Sequence, residues 1–177
     1  MNNKLGLVLS GGGTKGVAHA GVLKFLEEKD IQPQILAGAS VGSIVSSLYA
    51  IGKTPKEILD FFKSVYFFNW KHIAFNKPGI VKSAVFKIYL KPIFGDMKIG
   101  DLGKEVNITA TDIVTGELKI FDKETRVVDA IIASSSFPGI ATPYMFGGAL
   151  YSDSGILNNF PADIIRDRCD KLSLIHI

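Results

Sequence analysis

Residues 34–50 read QILAGASVGSIVSSLYA, and the order of residue types in this stretch decides the architecture. Gln34–Ala37 reads as a short buried strand and Ser43–Ala50 as a helix, with Gly38-Ala39-Ser40-Val41-Gly42 turning one into the other. A strand that hands over to a helix across so tight a turn is the unit of an α/β fold. The turn is also a G-x-S-x-G pentapeptide. Its sharpness requires residues without side chains two places either side of the serine. The Ser40 hydroxyl then stands exposed with a helix N-terminus, and its partial positive charge, behind it. The plainer reading is a Gly/Ser turn that packs a helix on a sheet.

On the N-terminal side, Leu5–Leu9 reads as another short strand and Val17–Lys29 as a helix, with Val17, Ala20, Gly21, Lys24 and Glu28 at helical spacing. SGGGTKG, residues 10–16, joins the two. Gly11, Gly13 and Gly16 satisfy the dinucleotide pattern G-x-G-x-x-G, whereas Gly11, Gly12 and Gly13 taken together fit an oxyanion-binding loop. Both readings bring backbone N–H groups to an anion at a helix N-terminus.

On the C-terminal side, Thr54-Pro55-Lys56-Glu57 is a capping box with proline at the first helical position, so a helix begins there and extends toward Phe68. Val106–Thr111 and Leu118–Phe121 read as strands around a Thr115-Gly116 turn, and Arg126–Ala133 as a short helix. Gly147-Gly148 signals a hairpin. Pro161 opens a last expected helix, and Leu172–Ile177 is strand-like. Strands alternating with helices give an α/β class: a largely parallel central sheet with helices on both faces.

Composition bounds the function. The 177 residues fit a single domain, 1–177, with 47% hydrophobic and 21% charged residues and a mean hydropathy of +0.26. A net charge of +3 is too small to argue for a nucleic-acid partner. Cys169, the single cysteine, excludes an internal disulfide and fits a reducing, cytoplasmic setting. The uncharged run from 31 to 52 contains Pro33, Gly38, Gly42 and Gly52, and reads as strand, turn and helix rather than a membrane span. No targeting segment is evident. The chain stops in the apolar run LSLIHI, and the expectation is a fragment, truncated at the C-terminus, or a terminal stretch foreign to the protein. No Cys/His or carboxylate cluster has metal-ligand spacing, and no cofactor is called for.

A serine needs a base to become a nucleophile. Of His19, His72 and His176, only His176 follows in the order Ser…Asp…His, one residue from the end of the chain. YSDSG, residues 151–155, offers a carboxylate instead: Asp153 at the end of a strand. Burial raises a carboxylate's pKa, and a short bond to the hydroxyl lets it accept the proton during attack. On local sequence alone, a turn carboxylate that caps backbone amides is the favoured reading of Asp153.

SGGGTKG, GASVG, ASSSFPG (133–139) and YSDSGILNNFP together, in this order, resemble the patatin-like phospholipases from Leu5 to about Asp170. The resemblance implies a three-layer patatin-like architecture and hydrolysis of lipid acyl esters by a Ser–Asp dyad without histidine. Carried over, Ser40 is the nucleophile, Asp153 the base, and Gly11, Gly12 and Gly13 the oxyanion loop. Lys15 stands where the family often has arginine, as a substrate-binding or loop-supporting charge. Ser154 stands where the family usually has glycine. A dinucleotide site also calls for an acidic residue about twenty positions on, at the end of the second strand; here that strand runs straight into the serine turn. The rival from another class is a non-catalytic nucleotide- or lipid-binding module.

Residues 61–104 form a cap or lid candidate. Ten of the eighteen aromatic residues lie between Phe61 and Phe94, interleaved with six lysines and without an acidic residue before Asp96. Tyr66 and Trp70 suit a headgroup boundary, and lysines attract anionic lipid, so this segment is expected to touch a membrane peripherally. The alternative is that its aromatics are core and line an acyl pocket.

Overall fold

The computed structural model describes residues 4–75 and 86–177, with 66–75 described by backbone alone. Strands β1 (Leu5–Leu9), β2 (Ile35–Gly38), β3 (Glu105–Asp112) and β7 (Lys171–Ile175) pair in parallel in the order β7-β1-β2-β3. The distal part of β3 pairs antiparallel with β4 (Glu117–Ile120) and with β6 (Ala149–Ser152). β5 (Tyr144–Phe146) completes the sheet as the hairpin partner of β6. The strand–helix handover, the turn at Gly116 and the hairpin at Gly147-Gly148 all stand where turn chemistry places them. The three glycines that close the two hairpin turns have φ values of 73°, 58° and 83°, a region that side chains disfavour.

The helices are α1 (Val17–Glu28), α2 (Val41–Ala50), α3 (Pro55–Phe75), α4 (Lys87–Phe94) and α5 (Val127–Ser134). Their apolar faces share one core with Leu7 and Leu9 of β1 and Leu36 of β2. The alternate residues Val8, Ile35 and Ala37 point to the other face, as the period of a strand requires. The chain is thus an α/β fold with a central sheet flanked by helices.

Two expected elements differ. The buried stripe of α1 is His19, Ala20, Leu23 and Leu26, whereas Gly21, Lys24 and Glu28 are exposed. Burying two charged side chains would cost more than burying leucines, so the apolar positions set the helix rotation. The last expected helix, after Pro161, is a series of turns ending in a 3₁₀ turn at Arg166–Arg168. Here Phe160, Ala162, Ile164 and fully buried Ile165 cover the second face of the sheet. Two adjacent isoleucines serve a flat sheet face, and only five residues separate Ile165 from β7.

The capping box is formed: Thr54 N–H donates to Glu57 Oε2 (2.9 Å), and Glu57 N–H to Thr54 Oγ1 (3.2 Å). At the other end of the helical layer, buried Asp129 of α5 accepts from Arg126 Nε (2.7 Å) and Tyr144 Oη (2.5 Å), with Lys87 Nζ of α4 at 3.4 Å. That cluster fixes α4 against α5. Among the described residues no helix is long and apolar enough to cross a membrane. The membrane expectation rests on Tyr66, Trp70, Lys71, Lys77 and Lys82, which lie outside the described side chains.

Candidate active site

Ser40 sits between the end of β2 and the start of α2 with φ 50° and ψ −121°, one of two non-glycine residues at positive φ among those described. Such a conformation costs energy and persists only where the surroundings impose it. They do so here by close packing. A Cβ on Gly38 would fall on the Gly42 carbonyl, and one on Gly42 would fall on the Leu9 carbonyl. Both glycines are therefore required by backbone contact. The turn is closed by Gly42 N–H to Ala39 O (2.8 Å), and Ser43 Oγ donates to Ser40 O (2.6 Å).

Asp153 directly follows β6 and is 2% exposed. Its Oδ2 accepts a hydrogen bond from Ser40 Oγ at 2.6 Å. Its Oδ1 accepts from Gly155 N–H at 2.7 Å. One oxygen thus faces the Ser40 hydroxyl and the other caps a turn amide. The backbone is held as firmly: Asp153 N–H donates to Ser136 O (3.0 Å), and Thr111 Oγ1 donates to Asp153 O (3.0 Å). Burial pushes the carboxyl above the ordinary aspartate range, while the bonds from Ser40 and Gly155 pull it partly back.

The glycine loop leaves β1 beside this pair. Gly11 N–H is engaged by Asn159 O (3.0 Å), so it fastens the loop and does not face a substrate. That departs from the expectation that all three glycines offer donors. Gly12 has extended φ, Gly13 has φ 55°, and both line the same cavity as Ser40 and Asp153. Behind the loop, fully buried His19 sets Nε2 3.0 Å from Ser10 O. A carbonyl only accepts, so Nε2 carries the proton; burial lowers the ring's pKa and keeps it neutral. His19 thus supports the loop backbone. Lys15 is exposed and outside the cavity lining.

The cavity has a volume of about 780 Å³. Apart from Ser40, Asp153 and the glycine loop its walls are chiefly apolar: Ile44 of α2, Phe61, Phe62 and Val65 of α3, Phe86 and Leu90 at α4, and Ile131 and Ile132 of α5. Part of the 61–104 segment therefore forms a cavity wall. Exposed His176 lies against Phe160, with ring centroids 5.3 Å apart, and does not line the cavity. His72 lies outside the described side chains. Ser134 and Ser136 lie within ASSSFPG and Asn159 within YSDSGILNNFP, but the sequence assigned no role to them or to Thr111. Their parts are played through main-chain bonds and hydroxyls that no spacing rule signals.

The sequence pattern of the family described as Patatin-like phospholipase matches residues 7–166. The chain belongs to the patatin-like phospholipase family. It is 33% identical over 175 residues to patatin-like phospholipase domain-containing protein ZK370.4 of Caenorhabditis elegans, covering 93% of this chain and 13% of that protein. It is 30% identical over 172 residues to the human patatin-like phospholipase domain-containing protein 6, covering 93% and 12%. An uncharacterized NTE family protein of Mycobacterium tuberculosis is 30% identical over 168 residues, covering 91% and 28%. The chain thus spans well under a third of the length of these relatives. Among solved structures, VipD from Legionella pneumophila shares the fold with a TM-score of 0.63 at 17% identity, over 91% of this chain and 47% of that one. ExoU of Pseudomonas aeruginosa, in complex with SpcU, matches with a TM-score of 0.53 at 20% identity, over 77% and 39%.

Proposed function

We propose that this chain is a lipid acyl hydrolase domain of the patatin-like family that works through a Ser40–Asp153 dyad. The observation that carries the reading is the 2.6 Å bond from Ser40 Oγ to Asp153 Oδ2 in the wall of an apolar cavity. Asp153 Oδ2 takes the hydroxyl proton as Ser40 Oγ attacks the ester carbonyl carbon. The oxyanion forms beside the loop, where the Gly12 and Gly13 N–H groups act as donors with the α2 N-terminus behind the serine. Collapse of the tetrahedral intermediate breaks the bond to the alcohol, which leaves with the proton from Asp153. Water then attacks the acyl-enzyme by the same steps and frees the acid. The acyl chain occupies the apolar cavity, so the substrate is an ester of a long-chain lipid. Peripheral contact with an anionic membrane through the lysine- and aromatic-rich segment is part of the proposal. Replacing Lys71, Lys77 and Lys82 by Glu should weaken vesicle sedimentation while sparing a soluble ester.

An active-site phosphonate tests the chemistry. It should add to Ser40, located by mass spectrometry of the peptide, and Ser40→Ala should lose both labelling and hydrolysis of a p-nitrophenyl acyl ester. A protein that binds lipid but neither labels nor turns over would be the binding module instead.

A further inference from the structure

The backbone of the nucleophile is held by two side chains whose presence nothing in the dyad mechanism requires. Ser40 N–H donates to Ser134 Oγ at 2.9 Å and to Ser154 Oγ at 3.1 Å. The two hydroxyls lie 3.3 Å from each other, and both serines are fully buried. Ser134 is the last residue of α5. Ser154 is the residue directly after Asp153. One N–H thereby joins three separate pieces of chain: the turn that carries the nucleophile, the end of a helix, and the turn that carries the base.

We propose that Ser134 and Ser154 are positioning residues, a hydroxyl pair that holds the Ser40 backbone in its strained conformation and sets its register against Asp153. The inference rests on the reading of Ser40 and Asp153 as the catalytic dyad. Its physical basis is twofold. A residue at φ 50° stays there only if neighbouring contacts over-determine it, and the pair supplies two such contacts to the strained residue's own amide. A buried N–H must also have an acceptor, and two acceptors on one donor give redundancy: either hydroxyl can satisfy it alone. Ser154 adds what Ser134 cannot. Any shift of its Oγ moves the Asp153 turn with it, so the bond to Ser40 N–H ties the base's backbone to the nucleophile's backbone as well as side chain to side chain. The serine that departs from the family's usual glycine is in this way put to use.

The redundancy dictates the experiment. Ser134→Ala, Ser154→Ala and the double variant are compared with wild type on a short soluble ester, with Tm measured for each. Each single change should lower kcat by less than about threefold. The double change, which leaves the buried N–H without an acceptor, should lower it by more than about tenfold, beyond the product of the singles, at nearly constant KM. In 15N-serine-labelled protein the Ser40 amide proton should move upfield in each single variant, because one acceptor is lost, while the fall in kcat at constant KM is what a merely structural role would not produce. A double variant no slower than the product of the singles, or an amide signal unmoved in both singles, overturns the inference. Should the double variant fail to fold, the amide shifts of the singles decide the matter. Ser40→Ala and Asp153→Asn run in the same assay separate the two levels. If either retains activity, the dyad itself falls; if both are inactive while the serine pair shows no coupling, only the positioning role falls.

Discussion

Two influences oppose each other at Asp153. Burial disfavours its charge, while the Ser40 hydroxyl and the Gly155 amide favour it, and burial wins. The carboxylate is consequently a stronger base than a solvated aspartate, which suits the proton transfer proposed for it. The acid limb of kcat/KM should therefore lie above the ordinary aspartate value of about 3.9, and activity should vanish as pH falls through it. A raised folded pKa also means that the native state binds this proton more tightly than the unfolded chain. That stabilising contribution is complete at acid pH and is lost as pH rises through the folded value. Asp153→Asn, which keeps an oxygen for Gly155 N–H and carries no buried charge, should abolish hydrolysis. Its Tm should gain on wild type as pH rises from the ordinary aspartate value through the folded one, and the gain should then hold level up to pH 8. Thermal melts across that range check the sign, and a Tm below wild type at pH 8 would contradict it.

Among the elements, glycine has two opposite meanings that substitution can separate. Gly42 lies at the start of α2 with a neighbouring backbone oxygen where its Cβ would go, whereas Gly21 is exposed in α1 with nothing within 4 Å of that position. Gly42→Ala should destabilise by about 3 kcal/mol, since the obstructing atom is backbone and cannot rotate away. Gly21→Ala should stabilise by about 1 kcal/mol, raising Tm by roughly 2–4 °C. Differential scanning calorimetry of the two variants tests both signs. The same contrast explains what was legible beforehand. The serine turn, the Thr54–Glu57 cap and the Gly147-Gly148 hairpin are local, and their residues specify them whatever the rest of the chain does. The rotation of α1 and the turns after Pro161 are settled by which face the sheet and α3 leave to be covered, and local spacing does not contain that information. Ser40 and Asp153 could be singled out as candidates because their motifs surround them, and the fold brings them within 2.6 Å of each other. The engagement of Gly11 N–H by Asn159 could not, because the two residues are 148 positions apart.

Over the whole molecule, four helices close one cavity around side chains and loop backbone supplied by the carboxyl ends of β1 and β2 and by the turn after β6. The division of labour is that of an open α/β sheet, in which loops at the strand ends carry the site and the layers behind hold it. Here the helices contribute something further, because α2, α3, α4 and α5 present apolar side chains to the space beside Ser40. Each methylene buried there should contribute up to about 0.8 kcal/mol, close to fourfold in kcat/KM. With a series of p-nitrophenyl esters, kcat/KM should rise with acyl length until the cavity is filled and then level off. Ile44 provides the control: it lies on α2 one turn beyond Ser40, is half-buried, and faces the cavity. Ile44→Trp should shorten the chain length at which the rise stops while leaving the butyrate ester within about threefold of wild type, because the reacting groups are untouched. A uniform loss across all chain lengths would mean that the substitution disturbed the serine turn, and an unchanged profile would place the acyl chain outside this cavity.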